Sequence, residues 1–367
     1  MKKRLIPLFM SLFLLTGCGD GSGLPFAREM GDMALLRTMG VDRGEDGGLL
    51  VTVSTGRRAR GLQQEAEPPL LISAAGGSLS EACLTIQGQS DNYVFYGYVD
   101  QLLLGEELAK QGVEQILNYY ARDLELSLGA QVWVVRGTAR ATLDANQEEG
   151  VEGQLSVLQT GSEIGAAGIA RTAGELLSDL EEGSATFLPM LQTVDDGEAA
   201  LVETGYVVFR GEKLVGVLEG ELAKGVELLM SHAPAGVIQG ELPARQDILQ
   251  ERQVHTAYHP VFQGDELVSV EIRCQVTADL TEFSDKLSNE QLELLRQKVE
   301  QREETRIRMA LTALQGWDAD CISLGRKLGI NDPAHWNWLE EHWEDLFAQI
   351  SFDVTVEATI RCTYGAI

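Results

Sequence analysis

Residues 93–137 read YVFYGYVDQLLLGEELAKQGVEQILNYYARDLELSLGAQVWVVRG. The run from Tyr93 to Leu104 is aromatic and aliphatic, as a strand requires, and Gly105 punctuates it. Glu106 and Glu107 then favour the N-terminal end of a helix dipole. Val113, Ile116, Leu117, Tyr120 and Leu124 recur at helical spacing, so the pattern predicts one helix over 106–126. Gln131–Gly137 follows as a short buried strand. Strand, helix and strand in this order imply a crossover and a mixed sheet.

Working outward, strands near 35–41 and 49–54 flank an Asp/Gly turn at Arg43–Gly48, and 65–69 reads as a loop. Residues 141–184 are rich in Gly, Glu and Ala and read as partly helical. TGYVVF and LVGVLEG around Arg210-Gly211-Glu212-Lys213 form a hairpin, and a short helix over 221–230 follows. In the last third, Val268, Val270, Ile272, Cys274 and Val276 alternate with polar residues, as do Phe352, Val354, Val356, Ala358, Ile360, Cys362 and Tyr364. Both are half-buried strands. Between them Ser288 and Gln291 make a capping box for a helix to about Leu314. Asp332 and Pro333 open another, which places Trp336, Leu339, Trp343, Leu346 and Phe347 on one face. The expected class is α+β: multi-domain, mixed β-sheets flanked by helices, with a C-terminal domain of antiparallel strands plus a long helix.

The start of the chain is of a different kind. Lys2, Lys3 and Arg4 precede an apolar run from Leu5 to Leu15, and Thr16-Gly17 are small, which is the pattern of a secretory signal. The run is far below the roughly 20 residues of a membrane helix. Leu15-Thr16-Gly17-Cys18 resembles the bacterial lipobox. That resemblance implies a diacylglyceryl group on the Cys18 sulfur, cleavage before Cys18, and a GDGSG tether. Expected boundaries are 1–17 signal, 18–26 lipidated tether, 27–195 N-terminal domain, 196–240 small middle domain and 241–367 C-terminal domain.

The 367 residues carry a formal net charge of −27, and the basic start makes the remainder more acidic still. Such a surface repels phosphate backbones and anionic headgroups, so no nucleic-acid partner is expected. Apart from Cys18, the cysteines are Cys83, Cys274, Cys321 and Cys362, too sparse for a disulfide scaffold. Cys274 and Cys362 face the apolar side of their strands. They are read as a pair only if those strands are neighbours, and otherwise as buried free thiols. No nucleophile elbow, P-loop, dinucleotide fingerprint or HExxH motif occurs, so no catalytic residue is assigned. His255/His259 and His335/His342 lack a third ligand. Glu148-Glu149 and Asp195-Asp196 lack calcium-loop spacing. No metal and no cofactor other than the covalent lipid on Cys18 is expected, and no ligand-binding residue is assigned.

Four segments in order resemble the Ger(x)C, or GerAC-like, family of spore germination lipoproteins. Gly105-Glu106-Glu107-Leu108-Ala109, Lys110, Gly112 and Arg122-Asp123-Leu124-Glu125 occupy that family's central block. AREMGDMALLRTMGVDR (27–43), TGYVVFRGEKLVGVLEG (204–220) and AHWNWLEEHWEDLF (334–347) with SFDVTVEATIRCTYG (351–365) are similar to its other blocks. Gly19-Asp20-Gly21 departs from the aromatic and acidic residues common after the lipid cysteine, and the Gly/Glu-rich 141–184 is not matched to a block of the family. The resemblance implies three α+β domains and a non-enzymatic C subunit of a nutrient germinant receptor. It also implies membrane-embedded A and B subunits as partners, and a lipid anchor on the outer leaflet of the spore inner membrane or cell membrane. The alternative is a lipid-anchored solute-binding protein of a transporter.

Overall fold

The structure is a computed structural model that describes residues 33–56, 69–145, 150–183, 185–195, 199–234, 236, 238–239, 248–264, 266–282 and 287–362. Its strands are β1 (Met33–Leu35), β2 (Thr38–Arg43), β3 (Leu49–Ser54), β4 (Leu71–Gly76), β5 (Tyr93–Phe95), β6 (Gln101–Gly105) and β7 (Gln131–Val135). They continue with β8 (Ala185–Asp195), β9 (Ala199–Arg210), β10 (Lys213–Glu219), β11 (Ile238–Gln239), β12 (Ile248–Gln263), β13 (Glu266–Glu282) and β14 (Ser351–Cys362). The helices are α1 (Leu79–Gln89), α2 (Glu106–Gln111), α3 (Glu114–Arg122), α4 (Ala139–Asp144), α5 (Glu152–Glu163), α6 (Ala173–Gly183), α7 (Glu221–Leu229), α8 (Asn289–Gly316), α9 (Leu324–Asn331) and α10 (Trp336–Phe347). No helix among the described residues is long and apolar enough to cross a membrane.

An eight-stranded mixed sheet runs in the order β10-β9-β8-β7-β6-β2-β3-β4. Its centre is parallel, from β2 through β6 and β7 to β8, and antiparallel hairpins close both ends. The helical connections of 93–137 explain the parallel centre, since parallel neighbours need a long crossover. Segment 196–240, expected as a small middle domain, contributes β9 and β10 to one end of this sheet and α7 beside it.

The sheet is covered on both faces. Leu104, Val132, Val134, Val207 and Phe209 pack with α1, α2, α3 and α6. On the opposite face, Leu103, Trp133 and Val135 meet α4 and α5. Further along, Phe187, Tyr206 and Val208 share a core with α7, β12, β13, α8, α9 and α10. Burying side chains of this size contributes about 1.5–3 kcal/mol each.

The α+β class holds, with local differences. The expected 106–126 helix is two helices. Gly112 has φ +133, a conformation glycine adopts far more readily than other residues, and Val113 N–H donates to the Glu212 carbonyl at 3.1 Å instead of extending α2. The second helix stops at Arg122 because Asp123 Oδ1 accepts from Glu125 N (2.8 Å) and Leu126 N (3.3 Å), an Asx-type turn. Leu124 is therefore fully exposed and not a core residue. The run 93–104 divides into β5 and β6, with Val99 N–H turning back to the Tyr96 carbonyl at 3.0 Å.

The second sheet has the order β11-β12-β13-β14. It is antiparallel through β13, as read, but β14 joins parallel. The reason is the helical passage α8–α10, which returns the chain to the end of the sheet where β13 begins. The Ser288/Gln291 capping box forms as expected. Helix α10 begins at Trp336 with His335 as its N-cap, so Asp332 and Pro333 stand just outside it. Leu339, Trp343 and Phe347 are buried. β13 and β14 are neighbours, yet Cys274 lies opposite Val356 and Cys362 opposite Leu280. Six residues of strand, on the order of 20 Å, separate the two cysteines. A disulfide needs Cα atoms within about 7 Å, so adjacency does not pair them, and Cys274 is a free, buried thiol.

Candidate functional site

β9 carries the site. Its pairing with β8 slips by one residue: Met190 faces Gly205, but Leu191 faces Glu203. Thr204 is the extra residue of this bulge, which re-aims the side chains beside it. Glu203 and Tyr206, three apart, consequently share a face. Gly205 has φ +143, and a Cβ there would overlap the Leu218 carbonyl oxygen of β10.

Tyr206 is fully buried and sits edge-on to Phe187, with ring centroids 5.2 Å apart. Its hydroxyl donates to Glu227 Oε1 of α7 at 2.7 Å and accepts the Ile169 N–H at 2.8 Å. Glu203 Oε2 accepts the Gly168 N–H at 2.9 Å. Gly168 has no side chain to lose: a Cβ there would overlap both Glu203 and Tyr206. His232 Nε2 hydrogen-bonds the Ala167 carbonyl at 2.9 Å. The loop after α5 is thus tied to β9 and to the segment following α7.

A cavity of about 330 Å³ opens here, lined by Ala166, Gly168, Glu203, Thr204, Lys224 and Glu227 among others. Glu227 is 6% exposed, and its Oε2 has no hydrogen-bond partner among the described residues. Burial pushes the Glu203 carboxyl up to about 7, and Glu227 adds to this; the Gly168 N–H and Lys224 act the other way. Glu227 is also raised, by burial, against the lowering effect of the Tyr206 hydroxyl and of Lys224, His232 and Arg306. On the other side of the 164–168 loop lies an open groove of about 600 Å³, with His232, Arg252, His255, Gln275 and Thr277 in its wall.

A second buried ionic cluster lies below α7. Arg306 of α8 binds Glu303 at 2.8 Å and also pairs with Glu221 of α7. Glu303 is fully buried and pairs with Arg302 at 2.7 Å as well. Glu251 of β12 is 5% exposed, and burial first, then repulsion from Glu303, raises its pKa.

The comparisons with known proteins bear on the whole chain. Residues 27–193 match the model for the spore germination protein N-terminal domain, and 204–364 match that for the spore germination B3/GerAC-like C-terminal domain. The chain belongs to the GerAC-like family. Among curated relatives of this GerAC-like chain, spore germination protein B3 of Bacillus subtilis (strain 168) is 22% identical over 96% of each chain. Spore germination protein KC of the same organism is 20% identical over 99% of this chain and 96% of its own. The crystal structure of the GerBC protein superimposes with a TM-score of 0.58 at 19% identity, over 93% of this chain and 99% of that one. The likeness shows the same fold.

In this GerAC-like protein, Cys18 lies outside the described residues, as do Glu148, Glu149 and Asp196. His255 and His259 oppose Gln275 and Glu271 on β13. His335 stacks on Phe262 with centroids 4.2 Å apart and bonds Asp332, while His342 stacks on Trp338 at 4.8 Å. Among the described residues no group of three or more His, Cys, Asp or Glu side chains is placed to hold a metal ion. Sequence reasoning named neither Glu203 nor Glu227. The available signal was the glycine inside TGYVVF, which in a strand marks a bulge.

Proposed function

We propose that this chain is the lipid-anchored C subunit of a spore nutrient germinant receptor, acting without catalysis beside membrane-embedded A and B subunits. The observation that carries the reading is the ordered match of both family regions over nearly the whole described chain, supported by relatives named as spore germination proteins along their full length. The lipobox-like LTGC adds the anchor: two acyl chains and a flexible tether hold the acidic domains on the outer leaflet, within reach of embedded partners.

The test is a spore-forming strain in which this is the sole receptor C subunit. Cys18→Ala is expected to move the protein out of the membrane fraction and abolish nutrient-triggered germination, with sporulation intact. A deletion strain that still germinates normally with nutrient overturns the reading. Retention of Cys18→Ala protein in the membrane fraction overturns the anchor.

A further inference from the structure

We propose that Glu203 and Glu227 bind a small organic ammonium ion in the cavity between β9, α7 and the 164–169 loop. This goes beyond the receptor reading and does not depend on it.

The geometry comes first. The bulge at Thr204 and the absence of a side chain at Gly168 bring the two carboxylates to one cavity of about 330 Å³. Each carboxylate is already oriented by one hydrogen bond, from the Gly168 N–H and from the Tyr206 hydroxyl. Glu227 lines the cavity, is 6% exposed, and has a buried Oε2 without a hydrogen-bond partner among the described residues. An acceptor buried in this way carries a desolvation cost unless a donor reaches it.

Charge sets the class of ligand. Among the ionisable residues lining the cavity, Glu203, Glu227 and Lys224 leave one net negative charge when both carboxylates are ionised. A single monocation neutralises the site. An ammonium with N–H donors satisfies both charge and acceptors, whereas a quaternary ammonium satisfies charge alone. Two carboxylates fall short of the ligand set of a typical oxygen-bound divalent metal. Among the described residues, His232 and Arg306 also face Glu227, and Arg306 is already paired with Glu303 and Glu221.

Protons compete with the ligand. Glu203, raised to about 7, must ionise to accept the cation, so affinity is lost as pH falls through that value.

The experiment uses the full-length protein in detergent and propylammonium chloride as probe, followed by saturation-transfer NMR at a pH above that of Glu203 ionisation. Binding is expected for propylammonium and not for propanol, and tetramethylammonium should bind more weakly. Glu227→Gln keeps an acceptor for the Tyr206 hydroxyl and should fold; it and Glu203→Gln should each weaken binding about tenfold or more. Lys224→Gln should strengthen it, an effect that misfolding cannot mimic. Absence of binding by the unaltered protein overturns the proposal. So does equal binding by both Gln variants, which would mean attraction to the acidic surface only.

Discussion

Gly225 of α7 is pressed against Arg306 of α8: a Cβ at Gly225 would overlap the Arg306 carbonyl oxygen and lie 2.8 Å from the Ala310 Cβ. Two helices approach here at the distance only glycine permits. In an open helix, Gly→Ala gains about 1 kcal/mol. Gly225→Ala should instead destabilise the protein by about 1–3 kcal/mol, because the overlap is with backbone. Urea unfolding gives the sign directly, and a gain in stability would show that α7 and α8 separate easily.

The same contact holds Arg306 over the fully buried Glu303. Arg306→Met removes one partner of a buried pair and should cost about 3–5 kcal/mol. Adding Glu303→Gln should recover part of that loss. A double-mutant cycle from denaturant midpoints measures the coupling, and strict additivity of the two changes would rule out a shared network.

Glu251 gives a pH dependence. Its folded-state pKa is raised above the ordinary value of 4.5. The folded protein therefore holds this proton more tightly than the unfolded chain, and stability falls as pH climbs from the ordinary carboxylate range towards the folded value. Glu203, raised to about 7, acts in the same direction. Glu251→Gln should leave stability unchanged at pH near 4 and raise it by about 1–2 kcal/mol at slightly alkaline pH. Thermal unfolding across that range reads the effect; parallel curves for the two proteins would contradict it.

Cys274 and Cys362 should both be alkylated when the protein is denatured without reductant. The β13–β14 register keeps them six residues apart. Recovery of a peptide linking them by mass spectrometry would require a different register.

The elements easiest to read in the sequence were those whose signals are local. The β9–β10 hairpin, the Ser288/Gln291 capping box and the period-two strands β13 and β14 stand where the pattern put them. What escaped depended on single residues overriding a period. Gly112 breaks a helix whose apolar spacing continues past it, and Asp123 ends it before Leu124. The site was hidden for the same reason. Strict alternation along β9 sends Glu203 and Tyr206 to opposite faces, and only the extra residue at Thr204 reunites them. Glu251 was visible in principle, since it occupies the same register as the buried Leu249. Its partner Glu303 comes from a helix fifty residues later, and no spacing rule reports that. The parallel arrival of β14 also depends on where α8–α10 pack, which is a property of the tertiary core.

The seam between the two family regions falls at the β8–β9 hairpin, yet β8 and β9 are hydrogen-bonded partners from Ala185↔Arg210 to Asp195↔Ala199. The boundary that evolutionary models draw is therefore not a mechanical joint. Cutting there would strip two strands from one another along their length. Backbone ladders join every strand from β4 to β10 in the sheet, and Phe187 and Tyr206 share a core with the C-terminal sheet. Among the described residues, the two family regions are joined by a ladder of backbone hydrogen bonds, so they cannot swing apart at that boundary without breaking it.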